Sequence, residues 1–360
     1  MTPMASLIAA CVAFVGSHFL LSHPLRAPLV ARLGERPFLG VYSLVALASL
    51  AFAATAQPAL RMAYVAPPPV WGPIADRYAK EVADRSNGEL KVQSFGAGQL
   101  GSLPQNYAGL RTGQIDMMLA DTGTLALAKG GKDFNALFAP YVFRDHAHFK
   151  AFMQSDTFRQ MLAPVEKEAG FKYVGYVSDR SPRQLTTSNR KVLKPEDMKG
   201  LKVRVPETPA ILEVMKGWGA APTPVPAAEL YLAMKQGLVD GQDNGFDAIA
   251  GAKYYEVQKY AMRIDYIQSG LMVLMAADKW SRLSPAHQKA MTEAVAATEK
   301  WASQMTWDVA TKSIDTLKAN GMEIVEPDLA AFRQAADKVT TGFDGQLWAK
   351  GTVEKIRAVK

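Results

Sequence analysis

The sequence predicts an α/β protein whose two lobes face each other across a cleft, and three observations carry that expectation. Short β-branched and aliphatic runs alternate with helix-period stretches closed by Gly or Asn-Gly, the pattern of α/β layers with mainly parallel strands. Two distant segments, YAGLRTGQIDMM (Tyr107 to Met118) and YLAMKQGLVDGQ (Tyr231 to Gln242), share one order: amphipathic helix, basic residue, glycine, then a β-branched residue and aspartate. Their spacing, 237 − 113 = 124 residues, is too long for a stacked repeat and suits two similar lobes. A helical stretch of more than thirty residues, from Ser284-Pro285 to about Ala319, is longer than one such lobe and is expected to bridge both.

The elements follow in order from Gln57. Leu60 to Val65 reads as a strand stopped by Pro67-Pro68-Pro69, and Trp71, Ile74, Ala75, Tyr78 and Val82 then fall on one helical face until Asn87-Gly88. A strand over Glu89 to Phe95 precedes a helix from Pro104 to Thr112, closed by Gly113, and a strand over Ile115 to Leu119. Helix Asp156 to Ala169 ends at Gly170, before strand Phe171 to Val177. After Gln268 come an apolar strand, Leu271 to Ala277, and the long helix, whose expected apolar stripe is Met291, Ala294, Ala297, Trp301 and Met305. Strand Met322 to Val325 and a helix from Asp328 complete the body.

Composition narrows the function. With 360 residues, 49% hydrophobic and 21% charged, the chain is an ordinary globular protein with room for two lobes of roughly 100 to 150 residues. The net charge of +7 comes from basic residues scattered singly among acids, which argues against nucleic acid and for a mild field that favours small anions. The single cysteine, Cys11, lies in an apolar N-terminal run, so the body has no thiol for disulfide, metal or nucleophile chemistry and suits an oxidising compartment.

Residues 1–56 form a separate apolar segment with two runs, Met4 to Leu21 and Phe38 to Ala54. Arg32 and Arg36 precede the apolar VYSLVALASLAFA, and Ala54-Thr55-Ala56 offers a small-x-small cleavage site, so the segment reads as an export signal. An uncleaved membrane anchor is the competing reading, because the first run is long enough to span a bilayer. Residues 16 to 50 resemble the start of the NnrU family of membrane proteins.

The search for catalytic chemistry mostly returns absences. No nucleophile elbow, phosphate loop or HExxH occurs, and neither a cofactor nor a metal is expected. GAGQLG (Gly96 to Gly101) matches the glycine pattern of an NAD-dependent oxidoreductase, with Asp116 and Asp121 at about the distance of a ribose ligand. Ser102 and Pro104, however, read as the cap and first turn of a helix that begins after the glycines, which favours a plain loop. His146 and His148 lack a third ligand at metal spacing and read as a solvated pair at a helix start. Asp240 and Asp243 suit turn chemistry or ligand hydrogen bonding better than a catalytic carboxylate pair.

Against these absences stand Arg204, Arg183, Asn244 and Asp121, each in a predicted strand or at its end, where the crevice of an α/β sheet binds its ligand. Arg204 lies within the β-branched run Leu201 to Val205, where an unpaired guanidinium is costly and something acidic should meet it. That acid is either a ligand carboxylate or an internal partner such as Glu207 or Glu229. Trp71 and Phe246 are candidate aromatic walls, whereas Trp218 reads as packing.

From about Leu60 to Val339 the chain resembles the solute-binding proteins of TRAP transporters, the tripartite ATP-independent periplasmic importers of organic acids. The resemblance rests on GQLG, RTGQID, APYVF, RQLTTSNR, MKGLKVRVPET, WGAAPTPVP, ELYLAMKQGLVDGQDN and KYYEVQKY, in this order. It implies a two-lobed, type II-like periplasmic binding protein with a long bridging helix. The lobes would comprise 57–181 plus 270–309 and 182–269 plus 310–360. It implies no enzyme but a receptor that closes on a small organic acid and delivers it to membrane permease subunits. Arg204 would clamp the carboxylate, with Arg183 and Asn244 beside it, and Asp121 would accept from ligand hydroxyls. Two departures stand out: Gly245 replaces the usual proline, and Leu103 with Thr124 stand where sialic acid binders carry charged partners, which disfavours sialic acid.

Overall fold

The computed structural model describes residues 26–39, 43 and 59–360. The proposed cleavage site, Cys11 and most of the two N-terminal apolar runs lie outside these residues. Two compact units divide the chain, residues 1–60 with 89–91 and residues 61–88 with 92–360. The smaller contributes the helix Arg26–Leu33. No helix among the described residues is long and apolar enough to cross a membrane.

Eleven strands are described: β1 Leu60–Ala63, β2 Val92–Phe95, β3 Met117–Asp121, β4 Phe171–Asp179, β5 Gln184–Thr187 and β6 Lys202–Val205, then β7 Ala221–Pro224, β8 Gly241–Asn244, β9 Tyr260–Met262, β10 Gly270–Ala276 and β11 Glu323–Val325. They form two sheets, β2-β1-β3-β10-β4 and β11-β9-β5-β8-β6-β7. Taken from its other edge the second runs β7-β6-β8-β5-β9, the same succession as the first. In each sheet the fourth strand is the one that crosses over from the other half of the chain, and it runs antiparallel to both neighbours. Parallel pairing therefore holds for β1–β3, β6–β7, β6–β8 and β9–β11, and the expectation of mainly parallel strands fails at β5 and β10. The reason is connection length, since a few crossing residues cannot return the chain to the start of the sheet as a parallel crossover requires.

The internal repeat extends to individual hydrogen bonds. Asp116 accepts from the Arg61 N–H at 2.8 Å and Asp240 from the Lys202 N–H at 2.9 Å, each carboxylate pinning the start of the neighbouring parallel strand. Met62 pairs with Met117 as Val203 pairs with Gly241, so Ala63 occupies in β1 the place of Arg204 in β6. The turns that feed β3 and β8 pass through Gly113 and Gly237, with φ of 73° and 69°, a region that costs glycine nothing.

Alternation along β6 sends Val203 and Val205 into an apolar layer with Leu185, Trp218 and Phe332, while Arg204 between them faces the other side. The first sheet is apolar on a larger scale, with β3 and β10 buried along their whole lengths. Phe143, Phe149, Phe152 and Phe158 extend its core, in ring contacts of 5.2 to 5.7 Å worth about 0.5–1.5 kcal/mol each beyond area burial. Trp348, Val353 and Ile356 join this core, so the end of the chain packs with the first sheet, whereas the expected division placed residues 310–360 in the second lobe.

The 35-residue helix Pro285–Ala319 touches β4 and helix Pro68–Arg85 of the first half, and helix Phe246–Gly251 and β11 of the second, which is the bridging expected of it. Of its expected stripe, Met291 and Ala294 are buried, Ala297 and Met305 are half-buried and Trp301 is not buried. Ala294, Val295, Thr298, Ala302 and Thr306 face the sheet, and Trp301 is exposed with Arg77 over its ring. Small residues win because the helix lies close: a Cβ on Gly175 of β4 would stand 2.8 Å from Val295.

Candidate functional site

A cavity of about 320 Å³, within the larger unit, gathers Arg204, Arg183, Asn244, Asp121 and Trp71 of the residues singled out in the sequence. Val65 and Leu103, which pack with the core of the first sheet, line it together with Ile211 and Tyr254 from the second half and Arg180 and Arg183 from the crossing between β4 and β5. That crossing is braced by the return crossing before β10, through Arg180 N–H to Ser269 O at 3.1 Å and Arg183 N–H to Ile267 O at 3.2 Å.

Arg204 lines this cavity and is 3% exposed. Its Nε donates to the carbonyl of Val225 at 2.8 Å, which fixes the guanidinium plane. No carboxylate among the described residues lies within ion-pair distance of it; Glu207 and Glu229, the internal partners considered, line the same cavity without pairing. Burial pulls the group down to about 10; Tyr254, Asp243 and Glu207 oppose the fall without cancelling it, and the Arg183 cation adds to it. It is still cationic at neutral pH, and its charge has no partner of its own.

The other two arginines are matched. Arg183 donates from Nε to the carboxylate of Asp243 and from its terminal NH2 group to the Asp243 carbonyl at 2.8 Å, and Tyr266 donates to the same carboxylate. Burial opposes both charges of this pair, yet the mutual attraction prevails, raising Arg183 and lowering Asp243. Arg180, which the sequence reading did not select, pairs with Asp121 and stacks on Trp71 with its guanidinium carbon 5.2 Å from the ring centre. Asp121 accepts further from Ser269 at 2.8 Å and from the Gly123 N–H at 2.9 Å, so protein groups occupy both its oxygens. The signal for Arg180 was its place beyond the predicted strand end at Val177.

Asn244 lines the cavity at the end of β8, its amide held by a relay in which Asn244 donates to Gln242 at 2.7 Å, Gln242 to Thr186 at 2.9 Å and Thr186 to Gln258 at 2.9 Å. Trp71 lines the cavity as expected, but Phe246 does not. It is buried with Val225, Leu230 and Ile249, because the helix Phe246–Gly251 turns its first apolar residue into the core. Gly245 has a local reason: a Cβ there would stand 2.0 Å from Ser181 Oγ, a crossing residue hydrogen-bonded to Asp247.

The remaining candidates resolve into structural roles. The GAGQLG loop takes left-handed conformations at Ala97, Gly98 and Gly101, and its helix begins at Leu103 after Ser102, whose N–H donates to Gln105 at 2.7 Å. His148 is not solvated but 3% exposed, taking the Arg144 N–H at Nδ1. His146 Nε2 stands 3.0 Å from Asp179. Asp240 pins β6 and Asp243 holds Arg183, so the two carboxylates share no task.

Known proteins are similar to this chain in sequence and in fold. The sialic acid-binding periplasmic protein SiaP of Vibrio cholerae is 31% identical over 288 residues, 79% of this chain and 87% of that one. A crystal structure of a TRAP periplasmic solute-binding protein from Bordetella bronchispeptica, with density assigned to pantoate, superposes with a TM-score of 0.77 at 29% identity, covering 84% of this chain and 100% of the other. The Polaromonas protein bound to D-erythronate gives 0.78 at 27% identity, covering 84% and 99%. These neighbours share the two-lobed α/β architecture expected from the sequence. Residues 6–80 match the NnrU protein family, in keeping with the resemblance noted at the N-terminus. Residues 63–346 match the family described as bacterial extracellular solute-binding protein, family 7, and the chain belongs to it.

Proposed function

We propose that the protein is the extracytoplasmic receptor of a TRAP transporter and captures a small organic monocarboxylate. One observation carries the reading: of three arginines on the cavity wall, two are neutralised by their own aspartates and one, Arg204, is left for a ligand. One uncompensated cation matches one carboxylate, held by two parallel charge-assisted bonds that only arginine offers. Asn244 and the Arg183 pair brace that group, and Trp71, Leu103 and Ile211 cover an aliphatic body. Pantoate and D-erythronate, the acids in the two related structures, have this form. Sialic acid, bound by the Vibrio relative, is disfavoured here by Leu103 and by Thr124, whose hydroxyl is engaged by Tyr107 at 2.8 Å.

Binding closes two lobes in this reading, because the ligand makes contacts in the closed state that the open state lacks. The first lobe would be built on β1–β4 and β10 and the second on β5–β9 and β11. The chain works after export to the periplasm, with permease subunits as partners, and performs no chemistry on its ligand. Calorimetry against pantoate, D-erythronate, succinate, sialic acid and NAD is the test. Micromolar or tighter binding of a monocarboxylate is expected, and binding of NAD alone would return the oxidoreductase reading.

A further inference from the structure

We propose that Thr208 determines specificity in this cavity by hydrogen-bonding the oxygen at C2 of a 2-hydroxy acid whose carboxylate is held by Arg204; the inference rests on the carboxylate reading above. Thr208 is 2% exposed, lines the cavity, and its Oγ1 is buried without a hydrogen-bond partner. It stands at the N-cap of the nine-residue helix Pro209–Gly217, yet its side chain does not cap that helix. Asp145, Ser155, Ser284 and Asp328, at the corresponding positions of other helices, all accept a backbone N–H. A threonine that forgoes its cap and leaves its hydroxyl buried and unpaired is held at a cost, which a ligand oxygen would remove.

The backbone explains the placement. Thr208 N–H donates to the Pro206 carbonyl at 2.7 Å, a three-residue turn that starts as β6 ends, two residues after Arg204. The unpaired charge in β6 and the unsatisfied hydroxyl at the next N-cap thus lie four residues apart and line the same cavity. When the guanidinium takes both carboxylate oxygens, the next ligand atom able to carry a polar group is C2. A hydroxyl that can donate or accept suits a neutral oxygen there. Asp121, the side chain considered for ligand hydroxyls, is already engaged within the protein, as is Thr124.

The test compares D-erythronate with 3,4-dihydroxybutanoate, which lacks only the C2 hydroxyl, on wild type, Thr208→Val and Thr208→Ser by calorimetry. Thr208→Val is expected to weaken D-erythronate about tenfold and to change 3,4-dihydroxybutanoate less than about twofold, with Thr208→Ser retaining the wild-type preference. Because valine removes an orphaned hydroxyl at equal volume, the ligand-free variant is expected to melt no lower than wild type. Equal losses for both acids, no loss for either, or a lower melting temperature without ligand would overturn the proposal. A wild type that binds other monocarboxylates but neither of these acids overturns the C2 assignment alone. A wild type that binds no carboxylate overturns the carboxylate reading, and this inference with it.

Discussion

The two sheets share a strand order, an inserted antiparallel fourth strand and an aspartate pin at the same register, yet they are filled with opposite chemistry. In the first, β3 and β10 are sealed apolar strands, and the site matching Arg204 is Ala63. In the second, the central strand β8 reads Gly-Gln-Asp-Asn, and its buried polar groups hold Thr186 and Arg183. One frame supports both because the pins and the backbone ladder set the strand order, while the side chains between them are free to differ. The apolar half is sealed by packing, and the polar half carries the unpaired charge on the cavity wall.

The largest expected effect breaks the polar half. Arg183→Met leaves Asp243 buried without its partner and is expected to cost about 3–5 kcal/mol of stability, read from urea midpoints. The double variant Arg183→Met with Asp243→Leu should regain most of it, since no charge then stays buried alone. Arg204 behaves in the reverse sense. Arg204→Leu removes a buried charge that has no partner, so the ligand-free protein should gain about 1–3 kcal/mol while carboxylate binding disappears. Arg204→Lys should lose about 2–5 kcal/mol of affinity, because an ammonium cannot form the two-bonded clamp. Unchanged affinity in that variant would remove Arg204 from the site.

The pH dependence follows from the same residue. Arg204 is lowered by burial to about 10, so its desolvation penalty is present in full below that value and is relieved as pH rises through it. Ligand affinity should therefore be level from about pH 5 to 9, fall above about 10 as Arg204 loses its proton, and fall below about pH 4 as the ligand carboxyl gains one. The smallest effects test whether the two halves share a frame. Asp116→Ala and Asp240→Ala each release one strand pin and should cost similar amounts, about 1–2 kcal/mol, in thermal melts. A large difference between them would mean that the matching geometry does not carry matching loads.

Much of this was legible in the sequence because it depends on local order. The glycine turns at Gly113 and Gly237, the caps at Ser102 and Ser284 and the strand run around Arg204 act over a few residues, so pattern alone locates them. Arg204 itself was findable because a guanidinium among β-branched neighbours needs a reason wherever the strand lies. The long helix buries Met291 and Ala294 as its period predicts but leaves Trp301 outside, since the period alone does not tell where the helix approaches Gly175 closely enough to favour small residues. Phe246 was misplaced because hydrophobicity does not say which of two apolar surroundings receives a ring.

By itself the sequence determined the succession of elements, the internal repeat, the family and the cation at the end of β6, all written in short-range pattern and motif. Only the tertiary structure decided which charges stay free. Asp243 comes to Arg183 across 60 residues, Asp121 to Arg180 across 59, and Ser269 to Asp121 across 148. Such pairings depend on how two crossings and two sheets meet in space, and spacing along the chain carries no record of that meeting. They neutralise two of the three arginines in the cavity and leave Arg204, with the unsatisfied Thr208 beyond it, facing the cavity.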